Sequence, residues 1–254
     1  MIESTFQIAK GISAAKEKQI WKSGILTWDE FIDSDSVEGI KEKRKKSCDL
    51  LYEEAKDMLS KGDSCGLRDL LGKEQWRPFG HFKDDAAYLD IETDGLSRDA
   101  LVTVVTVHRK DRTYTLTHGI DLDPATLSRA LAGAKVLVTF NGSCFDVPVL
   151  RNSFPTIDFD IPHFDLRFGC RKVGLTGGLK NIETVLGVNR DGDIKGVDGA
   201  DAVRLWKAWD RKGDEEALRI LTEYNRADTV NLEPIADTIY ERLVNEYAGF
   251  GSYR

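Results

Sequence analysis

The stretch Tyr88-Leu89-Asp90-Ile91-Glu92-Thr93-Asp94-Gly95 decides how the chain reads. Ala86-Ala87-Tyr88-Leu89 is apolar and leads into two acids spaced two apart. On a strand, residues i and i+2 share a face, so Asp90 and Glu92 point the same way. Two neighbouring carboxylates at a buried strand end repel each other and resist desolvation. A divalent cation relieves both costs, and oxygen-only ligands suit Mg²⁺ or Mn²⁺. The plainer alternative is a solvated strand end running into the Thr-Asp-Gly turn.

Working outward, the pattern predicts strands at residues 86–92, 101–108, 112–117 and 135–140. The second and third are joined by the polar turn His108-Arg109-Lys110-Asp111. Asp123-Pro124 predicts a helix start, because proline suits a first turn. Helices dominate after residue 140, with a short strand expected near residues 161–166. Three strands joined by tight turns, then alternating helix and strand, predict an α/β fold with a mixed sheet covered by helices. Before this region, residues 1–75 read as helical, with Ser36 as a candidate cap for a helix running towards residue 60. Residues 73–84 contain glycine and proline and read as a connection.

Two further acids stand in suggestive settings. Asp146 follows Val138-Thr139-Phe140-Asn141-Gly142-Ser143-Cys144-Phe145, a strand entering a turn, and begins the next helix. Such a loop commonly carries function, although an aspartate there also stabilises a helix N-terminus. Tyr224 and Asp228 lie four apart in Glu223-Tyr224-Asn225-Arg226-Ala227-Asp228, hence on one helix face.

In this order the three motifs resemble the DEDD exonucleases of the RNase H-like superfamily, in the branch with Tyr-x-x-x-Asp on the late helix (DEDDy). The sister branch carries histidine where this chain has Glu223. Gly178-Leu179-Lys180-Asn181-Ile182-Glu183-Thr184-Val185-Leu186-Gly187 and Asp201-Ala202-Val203-Arg204-Leu205-Trp206 extend the likeness to the YprB-like predicted exonucleases, over residues 84–245. The resemblance implies an RNase H-like mixed five-stranded sheet flanked by helices. It implies Asp90, Glu92, Asp146 and Asp228 as ligands of two Mg²⁺ or Mn²⁺ ions, with Tyr224 positioning the attacking water. It also implies a 3′–5′ exonuclease releasing nucleoside 5′-monophosphates, with single-stranded nucleic acid 3′ ends as substrate and Asn141 and Lys180 as candidate contacts. The expected division is a helical domain at 1–83 and a nuclease domain at 84–254.

The N-terminal segment from Thr5 to Asp33 resembles a helix-hairpin-helix element whose Gly-x-Gly turn reads Gly11-Ile12-Ser13, its second glycine replaced. Such a turn presents backbone N–H groups to phosphate. Alternatively Ile8, Ile12, Ile20, Trp21, Ile25 and Trp28 form a packing core. The basic run Lys41-Glu42-Lys43-Arg44-Lys45-Lys46 reads as a solvated helix face, with Lys43, Arg44, Lys45 and Lys46 as candidate phosphate contacts.

The net charge is −7, which by itself disfavours a polyanionic partner. Residues 1–83 hold 15 Lys+Arg and 15 Asp+Glu, so residues 84–254 carry the whole excess. Bound divalent cations would reverse the charge where phosphate must sit. Cys48, Cys65, Cys144 and Cys170 form no Cys-x-x-Cys pair, so no zinc site is expected, and single thiols suit a cytoplasmic setting. No secretory signal or membrane span is expected. Two alternatives stay open: a catalytically silent nucleic-acid-binding or scaffold protein of the same fold, and an endonuclease using the same metals.

Overall fold

The computed structural model describes residues 1–97, 99–190 and 196–248. Its helices are α1 Ala14–Lys22, α2 Trp28–Asp33, α3 Glu42–Ser60, α4 Ser64–Leu71, α5 Phe79–Phe82, α6 Pro124–Leu131, α7 Asp146–Ser153, α8 Leu166–Lys172, α9 Leu179–Leu186, α10 Gly199–Lys212, α11 Glu215–Val230 and α12 Leu232–Ala248. Its strands are β1 Ala86–Thr93, β2 Val102–Arg109, β3 Arg112–Thr117, β4 Val136–Thr139 and β5 His163–Asp165. They form one five-stranded sheet in the order β3-β2-β1-β4-β5. The β1–β2 and β2–β3 pairs are antiparallel, and β1–β4 and β4–β5 are parallel. The sheet is therefore mixed and flanked by helices, as expected.

Local chemistry accounts for these elements. The β-branched run of β2 and the all-buried Val-Leu-Val-Thr of β4 favour a central sheet. Helix α6 starts at the expected place. Thr126 N–H donates to Asp123 Oδ1 at 2.8 Å, Asp123 N–H donates to Thr126 Oγ1 at 3.1 Å, and Pro124 occupies the first turn.

Alternation along β1 splits the core. Ala87, Leu89 and Ile91 face a cluster with Leu127, Val149 and Leu150 from α6 and α7. Ala86 and Tyr88 face the other side, where Phe164, Ile182 and Ile239 pack. Asp90 and Glu92 continue that second face by register, and α11 lies across it, with Leu221 and Tyr224 packed on Val104 of β2. The sheet thus delivers both acids to a rim that α11 covers from one side and α7 reaches from the other.

Residues 1–82 share the second cluster. Phe6, Trp21, Trp28, Tyr52 and Phe79 are buried in the same continuous apolar group as Ala86, Val136 and Leu243. A buried pair fastens this segment: Arg77 Nη1 and Nη2 donate to Glu17 Oε1 and Oε2 at 3.0 and 2.8 Å. Both side chains have zero exposure. Glu17 also accepts from Phe6 N–H at 2.7 Å.

Several local expectations are corrected here. Residues 73–84 do connect α4 to β1, but as packed chain: Trp76, Arg77, Phe79 and Phe82 are buried and 79–82 form a helical turn. Ser36 caps no helix. Val37 and Ile40 form an isolated bridge around a turn at Gly39 with φ +70°, and α3 starts only at Glu42. Ahead of Gly11 the chain forms 3-10 turns at Ile2–Ser4 and Phe6–Ile8 rather than an α-helix. Ile8, Ile12, Ile20, Trp21 and Trp28 there are buried, which is the packing-core alternative.

The basic run is also less available than its sequence suggests. Lys45 is turned inwards: its ammonium donates to Ile32 O at 3.1 Å and pairs with Asp49 at 3.0 Å. Its ammonium is therefore engaged within the protein. Lys46 is exposed but paired with Glu42 at 2.8 Å. Arg44 lies against Gly11, whose added Cβ would stand 3.0 Å from its guanidinium. Lys43 is exposed.

Candidate active site

Asp90, Glu92 and Asp228 converge: one carboxylate oxygen from each lies within 4.8 Å of the others. Strand geometry supplies the first two. In β1, Asp90 pairs with Thr106 and Glu92 with Val104 of β2, just before a register shift at Glu92/Thr93. The third comes from α11, whose buried positions Ala217, Leu221, Tyr224, Asn225, Asp228 and Thr229 recur at helical spacing. The stripe that packs on the sheet therefore brings Asp228 over the strand.

Asp146 stands beside this trio. It opens α7, is 5% exposed, and accepts from Ile91 N–H at 3.3 Å. Phe145, not Asp146, is the N-cap of α7, without a side-chain cap bond. Asp146 therefore faces β1 between Asp90 and Glu92 in sequence. Its charge raises the proton affinity of both neighbours.

Electrostatics mark the site as one that wants a cation. Burial, with Asp146, Asp228 and Glu92 close by, holds the Asp90 carboxyl well above the ordinary range. Burial and the same crowding lift Glu92 to about 8. Burial lifts Asp146 to about 7, with hydrogen bonds opposing. Burial also lifts Asp228 to about 6, moderated by Arg190 and Tyr224. Each carboxyl is penalised for ionising where it stands, and divalent cations would reverse that penalty. The donor set is carboxylate oxygen alone among the three converging side chains. Those residues fit Mg²⁺ or Mn²⁺.

Residues not anticipated from sequence complete the site. Asn225 is fully buried and donates from Nδ2 to Asp90 Oδ2 at 2.8 Å. Its Oδ1 has no hydrogen-bond partner. Its place one residue after Tyr224 and three before Asp228 was a usable signal. Arg190 pairs with Asp228 and, at 2.7 Å, with Glu183. Nothing local in the sequence marks that contact. Asp165, at the end of β5, accepts from Asn141 N–H at 2.8 Å, Ser143 N–H at 3.1 Å and Arg167 N–H at 3.1 Å. It organises the loop that leads to Asp146.

The remaining candidates fall as follows. Tyr224 is 6% exposed and interacts with Asp228, and burial beside the acids raises its phenol above the ordinary value. Lys180 reaches the site, its ammonium 5.2 Å from the centre of the Tyr224 ring. Asn141 adopts φ 69° and its Oδ1 accepts from Arg167 Nη1 at 2.6 Å, so its side chain is engaged within the protein. The run Lys43–Lys46 lies on α3, which contributes no residue to this cluster. Among the described residues no helix is long and apolar enough to cross a membrane.

A family model described as the RNase H superfamily matches residues 87–240, from β1 to α12. Among solved structures, the chain is similar to Escherichia coli RNase D, described as an exoribonuclease involved in structured RNA processing. The identity is 18% and the TM-score 0.48. The match covers 70% of this chain but 44% of that one, so this chain spans less than half of RNase D. No curated protein matches the chain.

Proposed function

The chain belongs to the RNase H superfamily, and on that premise we propose that it is a metal-dependent 3′–5′ exonuclease of the DEDDy type, acting on single-stranded ends. The observation that carries this reading is the convergence of Asp90, Glu92 and Asp228 within 4.8 Å, with Asp146 alongside. Asp90, Glu92, Asp146 and Asp228 would hold two Mg²⁺ or Mn²⁺ ions. Bound there, the ions would supply an activated water nucleophile and stabilise the leaving 3′ oxygen.

The chain's own groups do the rest. Asn225 fixes the Asp90 carboxylate by its 2.8 Å hydrogen bond, so that one acid does not reorient during turnover. The raised phenol of Tyr224 stays protonated at neutral pH. It therefore hydrogen-bonds and positions the attacking water but does not take its proton. The Lys180 ammonium beside that ring supplies positive charge for a substrate phosphate. The catalytic unit is residues 84–254, of which 98, 191–195 and 249–254 lie outside the described residues, and residues 1–83 form a helical segment packed on it.

The test uses single strands of DNA and RNA labelled at either end, with Mg²⁺ or Mn²⁺. A ladder from the 5′-labelled strand, with immediate release of label from the 3′-labelled one, is the expected result. Internal cuts from both labels would make it an endonuclease. No cleavage of any strand would leave a silent binding protein of the same fold.

A further inference from the structure

Arg190 makes the sole ion pair that any of the four acids has among the described residues. It follows the C-cap of α9 at Gly187 and reaches across to α11. Its Nε donates to Glu183 Oε2 at 2.7 Å, and its Nη1 meets Asp228 Oδ1. The guanidinium carbon lies 5.6 Å from the centre of the Tyr224 ring. The side chain is only 9% exposed, and those of Glu183 and Asp228 are 4% and 9% exposed. Glu183 is itself held by Asn231 Nδ2 at 2.8 Å. The arginine is thus anchored at Nε by a carboxylate outside the metal cluster, while the far end of its fork takes up an oxygen of a ligand inside it.

That arrangement sets two cations against each other. A divalent ion on Asp228 and a guanidinium on the same carboxylate repel at close range, in a site with little water to screen them. Arg190 has a second partner in Glu183 and can release Asp228 without becoming a buried, unpaired charge. Its freed Nη groups would then present a planar fork, the geometry that matches phosphate.

We propose that Arg190 is a shuttling counter-cation: it neutralises Asp228 until a nucleotide phosphate arrives, then transfers its Nη groups to that phosphate and leaves Asp228 to the divalent ion. This rests on the metal-site reading above. It makes metal binding and phosphate binding mutually reinforcing, because each removes the obstacle to the other. The metal centre is then completed by its substrate, whose phosphate Arg190 binds directly.

The experiment measures Mn²⁺ binding to the full-length protein by electron paramagnetic resonance, with and without a nucleoside 5′-monophosphate (dTMP, and AMP in parallel), corrected for Mn²⁺ held by free nucleotide. In the unsubstituted protein, nucleotide should tighten Mn²⁺ binding by about ten-fold, within the usual span of such couplings. Arg190→Gln should bind Mn²⁺ about ten-fold more tightly without nucleotide, and nucleotide should then add little. Arg190→Lys keeps the charge but loses the fork, so it should still weaken Mn²⁺ binding while losing most of the nucleotide effect. Absence of nucleotide coupling in the unsubstituted protein overturns the proposal, whatever the variants do. So does an Arg190→Gln protein, folded by circular dichroism, whose Mn²⁺ affinity is unchanged or lower. Strand cleavage plays no part in this readout, so a failure of the nuclease assay is distinguishable from a failure here.

Discussion

Replacing Glu92 by Gln should stabilise the metal-free protein and flatten its pH dependence. Glu92 has a proton affinity lifted from an ordinary 4.5 to about 8 by burial and by Asp228 and Asp146. The native state therefore keeps a proton that the unfolded chain has lost. Stability falls as pH rises, from about 4.5 until the native carboxyl itself ionises near 8. At 1.36 kcal/mol for each tenfold change in proton affinity, the ceiling above pH 8 is about 5 kcal/mol. Part of that ceiling belongs jointly to Glu92, Asp228 and Asp146, which titrate as an interacting set, so the expected gain at pH 8 is about 2 kcal/mol. The assay is urea unfolding in EDTA at intervals from pH 5 to 8.5. The unsubstituted protein should lose stability across that range, and Glu92→Gln should lose less, with the two curves meeting towards pH 5. Parallel curves of equal height would refute the idea that Glu92 is held in an electrostatically penalised position.

Four further outcomes are expected. Asp146→Asn and Asp228→Ala should each lower Mg²⁺-dependent cleavage by about 100-fold or more while leaving the circular dichroism spectrum unchanged; full activity in either would remove that residue from the site. Tyr224→Phe should lower kcat by about ten-fold or more with KM little altered, since it deletes one water-positioning hydroxyl; an unchanged kcat would make Tyr224 a packing residue. Mn²⁺ at a hundred times its dissociation constant should raise stability by about 2.7 kcal/mol, read as a higher Tm than in EDTA, and Asp90→Asn should lose most of that gain. Glu17→Ala removes the bidentate partner of the buried Arg77, which still pairs with Glu74 at 3.0 Å, and should cost about 3 kcal/mol in urea unfolding; a loss under about 1 kcal/mol would mean that Glu74 or water compensates the guanidinium.

What the sequence by itself determined is what short-range physics controls. The strand at 112–117 and the start of α6 at Pro124 follow from β-branched runs and a capping aspartate before proline. Asp90 and Glu92 share a face because strand alternation is local, and Tyr224 and Asp228 share one because helix periodicity is. That these pairs meet was legible only through the order of the motifs and the family they resemble. The convergence itself depends on how α11 lies across β1. Tertiary structure alone decided the rest. Arg190 and Glu183 reach Asp228 by crossing between helices, Asp165 holds a loop from a neighbouring strand, and Arg77 finds Glu17 sixty positions away. Lys45 looked like part of a solvated basic run. It faces inwards because α3 packs that side on α2, where Ile32 O and Asp49 satisfy its charge. Periodicity shows which residues share a face. Which buried charges become partners depends on the packing of distant elements, because a buried charge is tolerated only where the assembled fold supplies an opposite one.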